Sequence, residues 1–110
     1  MKLQEWRPSM HKQTKACDIS SRVKNAVWER DGHACIICGS HEAMPNAHYI
    51  PRSHGGLGVE ENIVTLCVNC HNAYDNSHLR SWYRKKIHDY LQSQYPSWDE
   101  DKLIYQKYHF

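Results

Sequence analysis

No stretch of this chain approaches the ~20 consecutive apolar residues that a membrane-spanning helix requires, so a transmembrane span is excluded. The leading residues Met1-Lys2-Leu3-Gln4-Glu5-Trp6-Arg7-Pro8 carry no apolar core, and no cleaved secretory signal is expected. Nothing repeats with a fixed period and no segment is low in complexity, which excludes repeat arrays and linker-like tracts. Charge of one sign is also missing: 14 Lys and Arg against 12 Asp and Glu leave a net of +2. A length of 110 residues holds one core and not two. That core is modest, and an outside staple would firm it.

What charge imbalance exists is local. Residues 1–30 carry a net of +4, residues 31–60 a net of −2, and residues 61–110 a net of zero. A basic leading segment suits a phosphate backbone. It suits a solvated, solubilising surface as well.

Cysteine and histidine say more. There are five Cys and nine His. Without a signal the expected compartment is the reducing cytoplasm, where disulfides are disfavoured. Four of the cysteines form two CxxC pairs, Cys35-Ile36-Ile37-Cys38 and Cys67-Val68-Asn69-Cys70, separated by 28 residues. Each two-residue spacer lets both sulfurs turn toward one point, so four thiolates can surround one Zn²⁺ tetrahedrally. A four-cysteine site is coordinatively closed and therefore structural rather than catalytic. Zinc binding adds folding free energy, on the order of 10 kcal/mol in small zinc peptides. A redox pair is disfavoured because the motif occurs twice without a thioredoxin-like surround. Cys17 lies outside the pattern and reads as a bystander.

The first 18 residues mix Lys, Arg, Gln and Pro without an apolar stripe and read as a basic arm. Ser20 or Ser21 can cap a following helix in which Val23 and Val27 fall one turn apart, and Gly32 supplies the stop. Residues 33–41 form a Cys-bearing turn, 43–50 a short strand, and 51–58 a loop broken by Gly55, Gly56 and Gly58. Asn62 to Leu66 is a second strand, rich in β-branched residues, and a helix starts near the second CxxC. Leu79, Tyr83, Ile87 and Leu91 recur every four residues and predict a further helix that ends before Pro96. Ser97-Trp98-Asp99-Glu100 reads as a capping box opening one more helix.

Between the CxxC pairs lies Ala47-His48-Tyr49-Ile50-Pro51-Arg52-Ser53-His54-Gly55-Gly56. Then come Asn62-Ile63-Val64-Thr65-Leu66-Cys67-Val68-Asn69-Cys70-His71 and Asn72-Ala73-Tyr74-Asp75. Taken together, CxxC, H-x-x-P-R-S-x-G-G and N-x-x-x-L-C-x-x-C-H resemble the HNH endonuclease family in its zinc-bearing form. The resemblance covers roughly residues 22–78, about half of the chain. It implies a small single α+β domain with a ββα-metal core, a four-cysteine structural zinc site and flanking helices. The expected organisation is an arm over 1–18, a nuclease core over 19–78 and a helical segment over 79–110.

The resemblance also assigns catalytic roles to His48, Asn62 and His71. His48 would be the general base for the water that attacks phosphorus, which suits a group titrating near neutrality. The Asn62 amide would fasten the loop or orient His48. His71 would bind a divalent metal, and Asp75, four residues on, shares its helix face. An oxygen-rich, water-filled site suits Mg²⁺ or Mn²⁺. The family commonly has Asp or His directly before the general base, where this chain has Ala47, which cannot bind metal. Arg52 could hold a phosphate or pair with a carboxylate. Lys24 and Arg22, with Lys12 and Lys15, are candidates for DNA contact, as is the cluster Arg80, Arg84-Lys85-Lys86.

The expected function is metal-dependent hydrolysis of DNA, by nicking, in a bacterial cytoplasm and in a phage or mobile-element setting. No membrane is involved, and monomer and dimer both stay open. A catalytically weak or inactive zinc-stabilised nucleic-acid-binding module is the first rival, supported by Ala47. An accessory of a phage DNA-packaging machine is the second.

Overall fold

A computed structural model describes the backbone of residues 8–106 and the side chains of residues 12–106. Residues 1–7 of the expected arm and 107–110 of the expected C-terminal segment lie outside the described residues. In chain order come α1 (Pro8–Cys17), α2 (Ser21–Arg30), β1 (Ala43–His48), β2 (Ile63–Cys67), α3 (Val68–Asn76) and α4 (Arg80–Gln94). Short 3-10 turns occupy Arg52–His54, Glu60–Asn62 and Glu100–Leu103. The fold is α+β, with one two-stranded sheet among helices.

Helix α2 starts where its cap predicts. Ser20 Oγ accepts the Val23 N–H at 3.2 Å, which satisfies one of the otherwise unpaired first-turn donors. The helix stops at Gly32, whose φ of +71° suits glycine alone without strain. Val23 and Val27 face Ile63 in one small cluster. On the opposite face of β2, Val64 and Leu66 join the main core with Tyr74, Ile87 and Leu91. Side chains alternate along a strand, so β2, buried along its whole length, serves both clusters. Ile87 and Leu91 are fully buried, each contributing about 2 kcal/mol.

A charged network that no motif announces ties these layers. The Asp31 side chain is wholly buried and pairs with Arg30 at 2.7 Å. It also accepts the Thr65 N–H at 2.8 Å and the Tyr90 hydroxyl at 2.5 Å. Arg30 goes on to the carbonyls of Glu60 and Ile63. Removing one member would leave a buried charge without its partner.

Strands β1 and β2 pair antiparallel, with Met44 opposite Leu66 and Ala47 opposite Val64. Two residues, Pro45 and Asn46, therefore face the single residue Thr65, which is a β-bulge.

Two local expectations differ from the structure. The segment 8–17 is helical even though no apolar stripe marks it. Among the described residues no α-helix follows Ser97: Asp99 is the cap, accepting the Asp101 N–H at 3.0 Å, and a single 3-10 turn forms there. The chain beyond it is needed elsewhere. Leu57 N–H donates to Leu103 O and Tyr105 N–H to Gly55 O, so Ile104 bridges Gly56 in extended form.

Candidate active site

The connection between β1 and β2 is held by Asn62, which has no exposed surface. Its Oδ1 accepts the Ile50 N–H at 2.8 Å, and its Nδ2 donates to Ile50 O at 3.2 Å and to Leu57 O at 2.9 Å. One amide thus satisfies three backbone groups that burial would otherwise leave unpaired. Gly56 packs against the Ile50 carbonyl so closely that a Cβ would overlap it. Asn62 does not line the cleft beside His48. The geometry is that of a loop clamp.

His48, at the end of β1, is held by the carbonyl of Cys17, which accepts from Nε2 at 2.9 Å. A carbonyl can only accept, so Nε2 carries the proton and Nδ1 keeps a free lone pair. The same carbonyl accepts from Arg52 at 2.8 Å, and Arg52 pairs with Asp18 at 2.8 Å. Burial pushes the His48 pKa below its usual 6.5; the Cys17 carbonyl opposes this, while Arg52 and His71 add to it. The ring is therefore neutral at pH 7. Gly58 completes the arrangement: its N–H donates to Ala16 O at 3.0 Å, and a Cβ there would overlap the Asp18 carbonyl. Only glycine lets the end of α1 come this close.

Across the cleft, α3 presents His71 and Asp75 on successive turns, with His71 Nε2 and Asp75 Oδ2 3.4 Å apart. Octahedral ligands at ~2.1 Å from an ion lie about 3 Å from one another, so this pair fits two neighbouring corners. Among the described residues no third His, Cys, Asp or Glu gathers with them. Ala47 is 1% exposed and belongs to the core, on the strand face away from His48.

Two buried side-chain atoms among the described residues lack a hydrogen-bond partner, Asn46 Oδ1 and Thr65 Oγ1. Both belong to the bulge. Such an orphan costs about 1–3 kcal/mol. Of the two residues, only Asn46 lines the cleft. The donor set (an imidazole, a carboxylate and an orphaned amide oxygen) fits a hard divalent cation. Arg80, from the start of α4, lies on the same wall; it donates to Tyr74 O at 2.9 Å and covers the Tyr74 ring.

The cysteine cluster is separate from this cleft. The sulfurs of Cys35, Cys38, Cys67 and Cys70 lie within 4.8 Å of one another, positioned to bind a metal ion and consistent with a zinc site. Cys67 also caps α3, its sulfur accepting the Cys70 N–H at 3.4 Å. Burial raises the Cys35 pKa, but the N–H groups of Cys38, Cys67 and Ile37 outweigh it and bring the thiol down to about 7. The Ile36 N–H reaches Thr65 O and joins this knuckle to β2.

The cleft, of about 520 Å³, brings together His48, Arg52, His71 and Asp75 from the residues singled out in the sequence. It does not include Asn62, nor Arg22 and Lys24, which are exposed on α2. Sequence reasoning passed over Asn46 and the Cys17 carbonyl. A backbone carbonyl has no residue-type signature. Asn46 is two positions before His48, and that strand spacing was its one signal.

A family model described as HNH endonuclease matches residues 35–77. Over 60 residues the chain is 31% identical to the protein named Anaredoxin of Nostoc sp. (strain PCC 7120), a match covering 54% of this chain and 79% of that protein. No solved structure matches the chain. No helix among the described residues is long and apolar enough to cross a membrane. The family match points to a nuclease or a nucleic-acid-binding protein, with DNA the usual ligand of such domains.

Proposed function

The chain belongs to the HNH endonuclease family, and on that premise we propose that it hydrolyses DNA phosphodiester bonds, nicking one strand per active site. One observation carries the reading: His48 Nε2 is tied to the Cys17 carbonyl, which leaves Nδ1 unprotonated on a residue that lines the cleft with His71 and Asp75. His48 Nδ1 takes the proton of a water as its oxygen bonds to phosphorus. The bond from phosphorus to the 3′ oxygen breaks and leaves a 5′ phosphate. His71 and Asp75 are the residues that would hold Mg²⁺ or Mn²⁺, and such an ion supplies Lewis-acid stabilisation of charge on the phosphate and the leaving oxygen. Arg80 offers positive charge to the flanking backbone. Arg52 is engaged by Asp18 and acts by keeping His48 neutral and in place. Asn62 holds the loop. The four cysteines hold a structural zinc ion.

The proposal extends to residues 1–18 as a DNA-contacting arm, with Arg22 and Lys24 beside it, and to residues 19–78 and 79–110 as core and helical support. It also extends to a bacterial cytoplasmic setting in a phage or mobile-element DNA-processing machine, supported by the run Gly56-Leu57-Gly58 into Asn62-Ile63-Val64-Thr65-Leu66-Cys67, which resembles the small HNH proteins common in bacterial and phage genomes. A second reading, a nucleic-acid-binding module without chemistry, is favoured by Ala47, which turns a usual ligand position into the core. Supercoiled plasmid incubated with zinc-replete protein and EDTA, Mg²⁺ or Mn²⁺ separates the two. Metal-dependent nicking that disappears in His48→Ala supports the nuclease. Plasmid bound in a gel shift but equally uncut by both proteins supports the binding module.

A further inference from the structure

An ion held by His71 and Asp75 alone would have two protein ligands, and the structure offers a third from an unexpected position. Asn46 lies on β1 two residues before His48, on the cleft side, while Ala47 between them is packed in the core. The bulge at Pro45 and Asn46 sets this orientation, because the extra residue re-aims the strand just before the site. Asn46 lines the same cleft as His71 and Asp75. Its Oδ1 has neither solvent contact nor a hydrogen-bond donor. A divalent cation in direct contact would satisfy this oxygen. The terminal amide torsion is broad, so the oxygen can turn onto an ion without moving the backbone.

Resting on the nuclease reading, we infer that Asn46 is a metal ligand: through Oδ1 it completes, with His71 and Asp75, a three-residue site for the catalytic divalent cation. It takes the place of the side chain that Ala47 does not provide. An uncharged amide also tunes the site. A neutral oxygen beside one carboxylate and one imidazole leaves most of the ion's charge for the phosphate, and binding should be correspondingly weak and should tighten when substrate is present.

The test is Mn²⁺ binding to the zinc-loaded full chain, read from the EPR signal of free Mn²⁺ without DNA. Four proteins are compared: wild type, Asn46→Ala, Asn46→Asp and Asp75→Ala. The expected result is a loss of about tenfold or more in Mn²⁺ affinity for Asn46→Ala. Asn46→Asp keeps an oxygen ligand and should bind Mn²⁺ at least as tightly as wild type. The metal-free melting temperature of Asn46→Ala should not fall, because the substitution removes an unsatisfied oxygen. Wild-type affinity in Asn46→Ala, with loss in Asp75→Ala, overturns the assignment and leaves the His71–Asp75 site standing. Weaker binding by Asn46→Asp than by Asn46→Ala also overturns it. No Mn²⁺ binding by any of the four overturns both the assignment and the metal site beneath it.

Discussion

Gly58 is the position where a single methyl group should disturb catalysis from outside the cleft. An added Cβ in Gly58→Ala overlaps the Asp18 carbonyl and presses on the Cys17 oxygen. Relieving the overlap requires the end of α1 to retreat by on the order of 1 Å. The bond from His48 Nε2 to Cys17 O starts at 2.9 Å, so that retreat carries it past the distance at which a hydrogen bond survives. Losing one such bond costs about 1 kcal/mol, roughly fivefold in the population of the correct tautomer and ring orientation. Misplacing a reacting group by ~1 Å can cost about a hundredfold. Plasmid nicking should therefore fall by between about fivefold and about a hundredfold, with the metal content of the cysteine site unchanged. The ¹⁵N shifts of His48 provide an independent reading. Wild type should show a single Nε2–H tautomer, and the variant a mixture. Nicking within about twofold of wild type, with the Nε2–H tautomer retained, would refute the role given to the Cys17 carbonyl.

The remaining predictions concern the base, the loop clamp and the staple. Burial lowers the His48 pKa below 6.5, and the neutral ring is the proposed base, so the rate should rise with pH through a value below 6.5 and be level by about pH 7. Arg52→Gln removes a cation that helps lower that pKa, and the acid limb of the rate profile should move to higher pH; an unmoved limb counts against the coupling. Asn62→Ala unpairs the Ile50 N–H and two carbonyls in a buried loop and should cost about 3 kcal/mol or more in urea unfolding; a change under ~1 kcal/mol would remove the clamp. Cys70→Ser should lose the bound metal and unfold the domain; a metal-free variant with native melting contradicts a structural site.

Much of the site was legible because its signals are local. Ser20 caps α2 through its own side chain, three residues from its donor. The two CxxC pairs converge because each spacer turns its sulfurs the same way, and the rest of the fold has only to bring two turns together. His71 and Asp75 share a face because helical periodicity puts residues four apart there. The C-terminal capping box failed for the opposite reason. Ser97 and Glu100 have the right spacing, but the chain that would continue the helix is drawn into pairing with the loop at Gly56, and a helix without further turns gives a box nothing to cap.

By itself, then, the sequence determined the family, the four-cysteine cluster and the α+β class, and it singled out His48, Asn62, His71 and Asp75 as candidates, since each depends on residue type at short range. Only the tertiary structure decided what surrounds them. The Cys17 carbonyl that sets the His48 tautomer comes from 31 residues away and carries no side-chain signature. The buried Asp31 network depends on α2, β2 and α4 meeting at one carboxylate. Asn46 faces the cleft because two residues of β1 oppose one of β2, and a register is a property of two paired strands that neither strand's sequence contains.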